Sequence, residues 1–323
     1  MVRVYLIRGH ELENLLKPET LIPEVEQAFI RYSRRETVTP PRTVMWVEGN
    51  WWGVMQSYVP GYGVGVKVVS LIPQNPSKGL PTIQALVALF DEVTGSPLAV
   101  MEGSVLTALR TGAASAVSVK YMAPRESGPI GIIGTGFQAK YQLKFVSSVY
   151  KTDDVVVYDL SSDAVRSFKS WAEGMGFRVL EASSHEDLVR RSRVIVESST
   201  TKEPVILGRW LSRNQHVVSI GAHARDHRAL DDEALSRFSK VVVDSREAVL
   251  EETGDIRVPL ERGVIRISEV AELGEVAAGT RKGREGDELT LFKSVGLAIQ
   301  DTCAAALVYR LAKAKGLGIE VEL

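Results

Sequence analysis

One stretch of this 323-residue chain has the residue types and spacing to hold a dinucleotide. In Gly131-Ile132-Ile133-Gly134-Thr135-Gly136-Phe137-Gln138-Ala139 a short apolar run enters a glycine turn of the form G-x-G-x-x-A. Ala139, Leu143, Val146 and Tyr150 then fall at helical spacing. Gly134 permits the tight turn, Gly136 lets backbone approach a pyrophosphate, and Ala139 allows close packing of helix on strand. The pyrophosphate would sit on the helix amino end. Gly134, Thr135, Gly136, Gln138 and Ala139 are therefore candidate cofactor-binding residues. Downstream, Val155-Val156-Val157-Tyr158 ends in Asp159, where a carboxylate can bond a ribose hydroxyl and would repel a 2′-phosphate. NAD(H) is the expected cofactor, with NADP disfavoured. Arg166, the nearest cation that could offset Asp159, lies a full turn into the next helical pattern.

Outside that stretch, three cations stand at special points. Arg42 follows Pro40-Pro41, Lys67 interrupts the apolar run Val64 to Val69, and Arg110 lies in Leu106-Thr107-Ala108-Leu109-Arg110-Thr111-Gly112. A lysine in a strand read as buried on both faces is costly unless it has a partner or a task.

The elements that must position these residues fall into two groups. Val2 to Leu6 has strand character, and Pro23 is read as the start of a helix carrying Val25, Phe29 and Tyr32 on one face. An antiparallel sheet of five or six strands is predicted from Thr43 to Met101, with turns at Glu48-Gly49-Asn50, Pro60-Gly61 and Thr94-Gly95-Ser96-Pro97. Thr107 to Tyr121 reads as a helix leading into a second region. There Ile130–Ile133, Val155–Tyr158, Phe177–Leu180, Val194–Glu197, Val217–Ile220 and Val241–Asp244 alternate with helical stretches, the pattern of a doubly wound parallel sheet. A last helix is predicted over Ser294 to Lys315, capped by Gly316 and returning to the first domain. The fold class is thus α/β, a Rossmann nucleotide domain at 116–296 plus an α+β domain with an antiparallel-rich sheet, built from 1–115 together with 297–323.

Composition fits this reading. Hydrophobic residues make up 45% and charged residues 24%, as in ordinary globular domains. A formal net charge of −1 gives no polyanion-binding surface, so neither nucleic acid nor membrane is an expected partner. The uncharged run Gly49 to Val66 is broken by glycines and Pro60, and no signal-peptide core is evident, so a cytoplasmic location is expected. Cys303 is the single cysteine and is read as a small buried hydrophobe, which leaves no disulfide and no cysteine-metal cluster.

Several motifs occur together in collinear order: Gly65-Val66-Lys67, Asn75-Pro76, Gly79-Leu80-Pro81-Thr82, Leu106 to Ala114, Gly134-Thr135-Gly136 and Phe292-Lys293-Ser294-Val295-Gly296. In these the chain resembles the ornithine cyclodeaminase/μ-crystallin family, over about Arg42 to Ala306. The resemblance implies a homodimer joined through the non-nucleotide domain. It also implies that Arg42, Lys67 and Arg110 hold a small carboxylate substrate beside the nicotinamide. Ser294, Val295 and Gly296 would meet the nicotinamide end, and Thr111 would assist with the phosphates. Lys67, set between two arginines in a partly dry pocket, is expected to have a lowered pKa and to exchange a proton with the amine or a water near neutral pH.

Two departures shape the functional expectation. Where the cyclodeaminases and archaeal alanine dehydrogenases of that family carry a catalytic aspartate in Gly-Ala-Asp, this chain has Gly221-Ala222-His223, and His223 becomes the second candidate catalytic residue beside Lys67. The acid that would greet the distal amine of ornithine should fall near Gly53, where none is found. His223 and His227, at i and i+4, lack a third ligand and are not read as a metal site. The expected activity is an NAD(P)-dependent oxidoreductase interconverting a small amino or cyclic imino acid with its 2-oxo or imine form, as in alanine dehydrogenases and ketimine reductases. The alternatives are an ornithine cyclodeaminase and a non-enzymatic ligand-binding protein of the μ-crystallin kind.

Overall fold

The computed structural model describes residues 2–323. The chain packs into two compact units, one formed by the chain up to Ala114 together with Gly296–Leu323, the other by Ser115–Val295. Strands β1 (Arg3–Ile7), β2 (Thr43–Val47), β3 (Asn50–Val59), β4 (Gly63–Leu71), β5 (Ile83–Phe90) and β6 (Pro97–Glu102) come first. Next come β7 (Ile130–Ile133), β8 (Asp154–Tyr158), β9 (Arg178–Glu181), β10 (Val194–Glu197), β11 (His216–Ser219), β12 (Lys240–Val243), β13 (Val270–Glu272) and β14 (Thr290–Lys293). The last strand, β15 (Ile319–Glu322), returns to the first unit.

The first sheet has seven strands in the order β15-β1-β6-β5-β4-β3-β2. Strands β2 to β6 form the antiparallel meander that the turn residues predict, while β1 joins β6 in parallel and β15 pairs antiparallel with β1. Both additions pair chain ends that are remote in sequence, which no local pattern announces. The helix Ala298–Lys315 packs against β3 and β4 and against the helix Pro18–Ser33. It ends at Gly316 in the left-handed region, φ 64°, as its glycine cap requires.

Three sequence expectations are corrected here. The second helix starts at Pro18, not Pro23, which lies inside it; the buried face of Leu21, Ile22, Val25, Ala28 and Phe29 holds the turn that Pro23 weakens. The last helix starts at Ala298, not Ser294, because Thr290–Lys293 form a fully buried strand whose apolar continuity lacks alternation. Nor is β4 buried on both faces. Gly63, Gly65, Lys67 and Ser70 are buried, whereas Val66 is half-buried and Val68 is exposed, so Lys67 belongs to the covered face and the flanking valines to the other.

The second unit contains an eight-stranded parallel sheet in the order β13-β12-β14-β11-β10-β7-β8-β9. It exceeds the six predicted strands by β13 and β14. The order reverses direction at β7 and β10, and ligands of such sheets bind at the carboxyl ends of the strands beside that point. Among the described residues no helix is long and apolar enough to cross a membrane.

Gly65 shows how tightly the last helix seats on the first sheet. A Cβ built there would lie 2.2 Å from Thr302 Oγ1 and 3.0 Å from Thr302 Cα, and that hydroxyl is already bonded to Ser57 Oγ at 2.7 Å. Gly65→Ala is therefore expected to destabilise the fold by about 1–3 kcal/mol through overpacking. A thermal-denaturation midpoint equal to that of the parent would show that the helix can shift at no cost.

Candidate active site

The cations singled out in the sequence converge in the first unit. Lys67 projects from the covered face of β4, where only 2% of it is exposed, and its Nζ donates to Asp301 Oδ2 at 2.7 Å. Arg110, on the helix Gly103–Met122, donates through Nε to Asp301 Oδ1 at 3.0 Å and through Nη1 to Gln300 Oε1. One buried carboxylate therefore serves two buried cations. Arg42, half-buried just before β2, donates from Nη2 to the Gly296 carbonyl at 2.9 Å. Gly296 also lies against Arg110: a Cβ on it would sit 2.8 Å from Nη1, and its φ of 83° suits glycine. The Gly296 backbone so holds Arg42, and its missing side chain leaves room for Arg110.

Burial is the largest influence on Lys67 and drives its pKa down; Asp301 opposes this, and Arg110 and then Arg42 reinforce it, leaving a value of about 7. Desolvation thus comes first, and the flanking arginines add to it. For Asp301 burial raises the pKa, but Arg110 and Lys67 outweigh it and the carboxyl stays below its ordinary value. Relative to an ordinary lysine at 10.5, the unfolded chain binds more protons than the folded one between about pH 7 and 10.5. The penalty from Lys67 is therefore full below about pH 7 and fades as pH rises toward 10.5.

In the second unit β7 runs into Gly134-Thr135-Gly136 and the helix Phe137–Val149. Gly134 has φ 82°, and a Cβ on it would meet the Ser199 backbone at 2.9 Å, so both the turn and a close crossing require glycine. Gly136 is the N-cap, makes no side-chain cap, and has nothing within 4 Å of where a Cβ would lie. Ala139 is fully buried under the turn. Asp159 Oδ2 accepts from Thr135 N at 2.7 Å and Thr135 Oγ1 at 3.1 Å, while Oδ1 accepts from Ser161 N at 2.9 Å. Gln138 Oε1 is buried and accepts no hydrogen bond from the described residues. Arg166 is paired with Asp163.

The remaining candidates separate. Thr111 lies in the first unit, nearly buried, its hydroxyl donating to the Thr107 carbonyl at 2.7 Å. Ser294 Oγ and Val295 N both donate to Asp244 Oδ2 at 2.8 Å within the second unit, whereas Gly296 belongs with the arginines of the first. His223 is exposed on the loop that follows β11, next to Ala222, which has φ 53°. No group of three His, Cys, Asp or Glu side chains suited to a metal occurs among the described residues.

Residues 4–316 match the ornithine cyclodeaminase/mu-crystallin family. The chain belongs to that family. It is similar to an alanine dehydrogenase of Archaeoglobus fulgidus, 36% identical over 319 residues that cover 98% of each chain. Among solved structures it resembles a Δ1-pyrroline-2-carboxylate reductase of Thermococcus litoralis in complex with NADH and L-proline. The TM-score is 0.94 at 40% identity, covering 98% of this chain and 100% of that one. It also resembles an archaeal alanine dehydrogenase dimer with bound NAD, at TM-score 0.93 and 35% identity over 99% of both chains.

For a member of this family the residues that sequence reasoning missed are instructive. Asp301 and Gln300 interrupt the apolar run Ala298 to Ala306 as conspicuously as Lys67 interrupts β4, and a buried charge needs a partner. Pairing the two anomalies would have found the cluster. Asp244, at the end of a valine strand, carries the same mark.

Asp301→Asn tests the cluster. Lys67 and Arg110 bond to different oxygens of Asp301, so in the amide one of them meets an NH2 donor, and without the counter-charge burial and the two arginines act on Lys67 unopposed. The limb of the pH profile of kcat/KM that follows Lys67 is expected to move to lower pH, with turnover reduced. A profile that keeps its shape and midpoint would remove Asp301 from control of Lys67.

Proposed function

We propose that the protein is an NAD(H)-dependent oxidoreductase that reduces a small 2-imino acid, preformed or arising from a 2-oxo acid and ammonia with loss of water, to the amino acid and catalyses the reverse oxidation. The observation that carries this reading is the buried Lys67–Asp301–Arg110 cluster with Arg42 beside it. Its cations exceed its one carboxylate, so the site favours an added anion, and paired guanidinium groups suit a substrate carboxylate. Arg42 and Arg110 orient the substrate; Lys67 supplies a proton to the imine nitrogen on reduction and takes one on oxidation. His223, where its relatives' aspartate is expected, exchanges a proton without offering an anion to a second ammonium group.

The second unit suits the cofactor. The helix Phe137–Val149 presents uncapped amide groups beside open space at Gly136, which fits a pyrophosphate, and Asp159 stands ready for the ribose. When bound, NAD(H) carries the hydride. Thr135, Gln138 and the Ser294–Val295 turn complete the assigned cofactor residues, with Thr111 assigned to the phosphates. With Asp159 at the ribose position and Arg166 paired with Asp163, NADH is expected to bind more tightly than NADPH in direct fluorescence titration. Asp159→Asn should narrow that preference; tighter binding of NADPH by the parent protein would reverse the assignment.

The dimeric archaeal relative supports a homodimer. A surface for it exists in the first unit, where Val44, Met45, Trp46 and Val47 of β2 are all exposed, as are Val68 and Leu86, which face each other in register.

Ornithine cyclodeamination is the second reading. Against it, a Cβ on Gly53 would lie 2.4 Å from the Trp51 ring, so a longer acidic side chain has no room there without displacing that ring. In a panel of pyrroline-2-carboxylate, pyruvate with ammonia, and ornithine, NADH oxidation is expected with at least one of the first two. Little proline should form from ornithine. Rapid conversion of ornithine to proline without net NADH change would overturn the proposal.

A further inference from the structure

The carboxyl ends of the central strands of the second sheet carry a buried row of charges that the functions above do not use. Glu197, Ser219 and Lys293 end β10, β11 and β14 and lie side by side in register. All three are fully buried, as is Asp255. Ser219 Oγ donates to Glu197 Oε2 at 2.8 Å, and Lys293 Nζ reaches Ser219 Oγ at 3.2 Å and Asp255 Oδ2 at 3.0 Å.

What this cluster touches is the loop bearing His223. Gly221 N donates to Glu197 Oε2 at 3.2 Å, and Lys293 Nζ donates to the Gly221 carbonyl. A Cβ on Gly221 would lie 2.4 Å from Glu197 Oε1, so the carboxylate sits directly against the backbone. At the far end, Ala229 N and Leu230 N donate to Asp255 Oδ1 at 2.7 and 2.9 Å. Both ends of the loop are therefore held by one network of buried charges. Between them Ala222 adopts φ 53°, a conformation costly for a residue with a Cβ, which persists only where its surroundings enforce it.

We infer that Glu197, Lys293 and Asp255 are positioning residues whose shared network holds the Gly221–Leu230 loop, and through it His223, in the arrangement needed for turnover. The assignment to turnover rests on the reading of His223 given above; the anchoring does not. Two buried carboxylates and one ammonium group are expensive to assemble, and a well-packed apolar cluster would serve stability as well. What apolar side chains could not do is grip both the amide and the carbonyl of Gly221. Burial pushes the Glu197 carboxyl up, with Lys293 opposing.

Glu197→Gln tests this with little change of shape. Glu197 accepts from Ser199 N through Oε1 and from Gly221 N through Oε2, and an amide nitrogen can accept from neither. Ser219→Ala, which removes only the bridging hydroxyl, is a milder variant should the first fold poorly. Three quantities are measured on the intact protein: backbone hydrogen exchange, the dissociation constant for NADH, and steady-state kinetics with and without His223→Ala. Exchange across 221–230 should quicken by about tenfold or more while β10 and β11 keep their protection. Turnover should fall about tenfold with NADH affinity changed by less than about threefold, and adding His223→Ala should lower kcat little further. Unchanged exchange in the loop, or losses that multiply with His223→Ala, would overturn the inference. If His223→Ala alone is silent while exchange still quickens, the role of His223 fails and the anchoring stands.

Discussion

A single carboxylate buried between two cations is the constraint from which the first unit is built. Asp301 can meet Lys67 and Arg110 only if the helix Ala298–Lys315 lies flat on the covered face of β4 and within reach of the helix Gly103–Met122. That requirement explains Gly65, which lets the helix approach the strand, and Thr302, which bonds to Ser57 on β3 one residue after the carboxylate. It also explains why the C-terminal chain returns to the first sheet. The polar contacts are costly to bury one by one, and their combination over-determines where the last helix sits.

The second unit uses buried charge differently. Its sheet is parallel, so every central strand ends on the same edge, and polar residues at those ends fall into one row. Asp244, Glu197 and Lys293 all take backbone or hydroxyl groups of the loops that leave that edge. Loop conformation is thereby set from beneath by side chains on rigid strands, which is more exact than setting it by contacts within the loops.

How much of this was legible in the sequence follows from the range of each interaction. The glycine turn, Asp159 and the valine strands declare themselves locally, because turn chemistry and apolar runs act over a few residues. The meander from β2 to β6 was legible for the same reason. Val2 to Leu6 was legible as a strand, but its pairing with β15, which joins the two ends of the chain, was not, and β14 went unassigned because Thr290–Lys293 is short and ends in a lysine. For the site, Lys67 is conspicuous because it breaks an apolar strand, whereas Asp301 lies in an alanine-rich helix whose pattern packing alone accounts for. A buried charge implies a partner of opposite sign somewhere in the chain, and only the fold says which.

The charge balance of the first cluster also bears on the proposed reaction. With Lys67 protonated, it and Arg110 share one carboxylate with Arg42 beside them, and burial with the two arginines lowers its pKa to about 7, which favours release of that proton. An arriving substrate carboxylate offsets Arg42 and Arg110, the two cations that push Lys67 down, and so favours its charged form. Binding the carboxylate would therefore load the proton that reduction of an imine consumes. A neutral imine lacking the carboxylate would find Lys67 less protonated, so recognition and proton supply are coupled through the same few charges. An amino acid with a second, distal ammonium group works against that coupling: it brings another cation to a site already rich in them and has no acid near Gly53 to receive it. A preference for small 2-imino or 2-oxo acids would thus follow from the electrostatics of Asp301 and its partners.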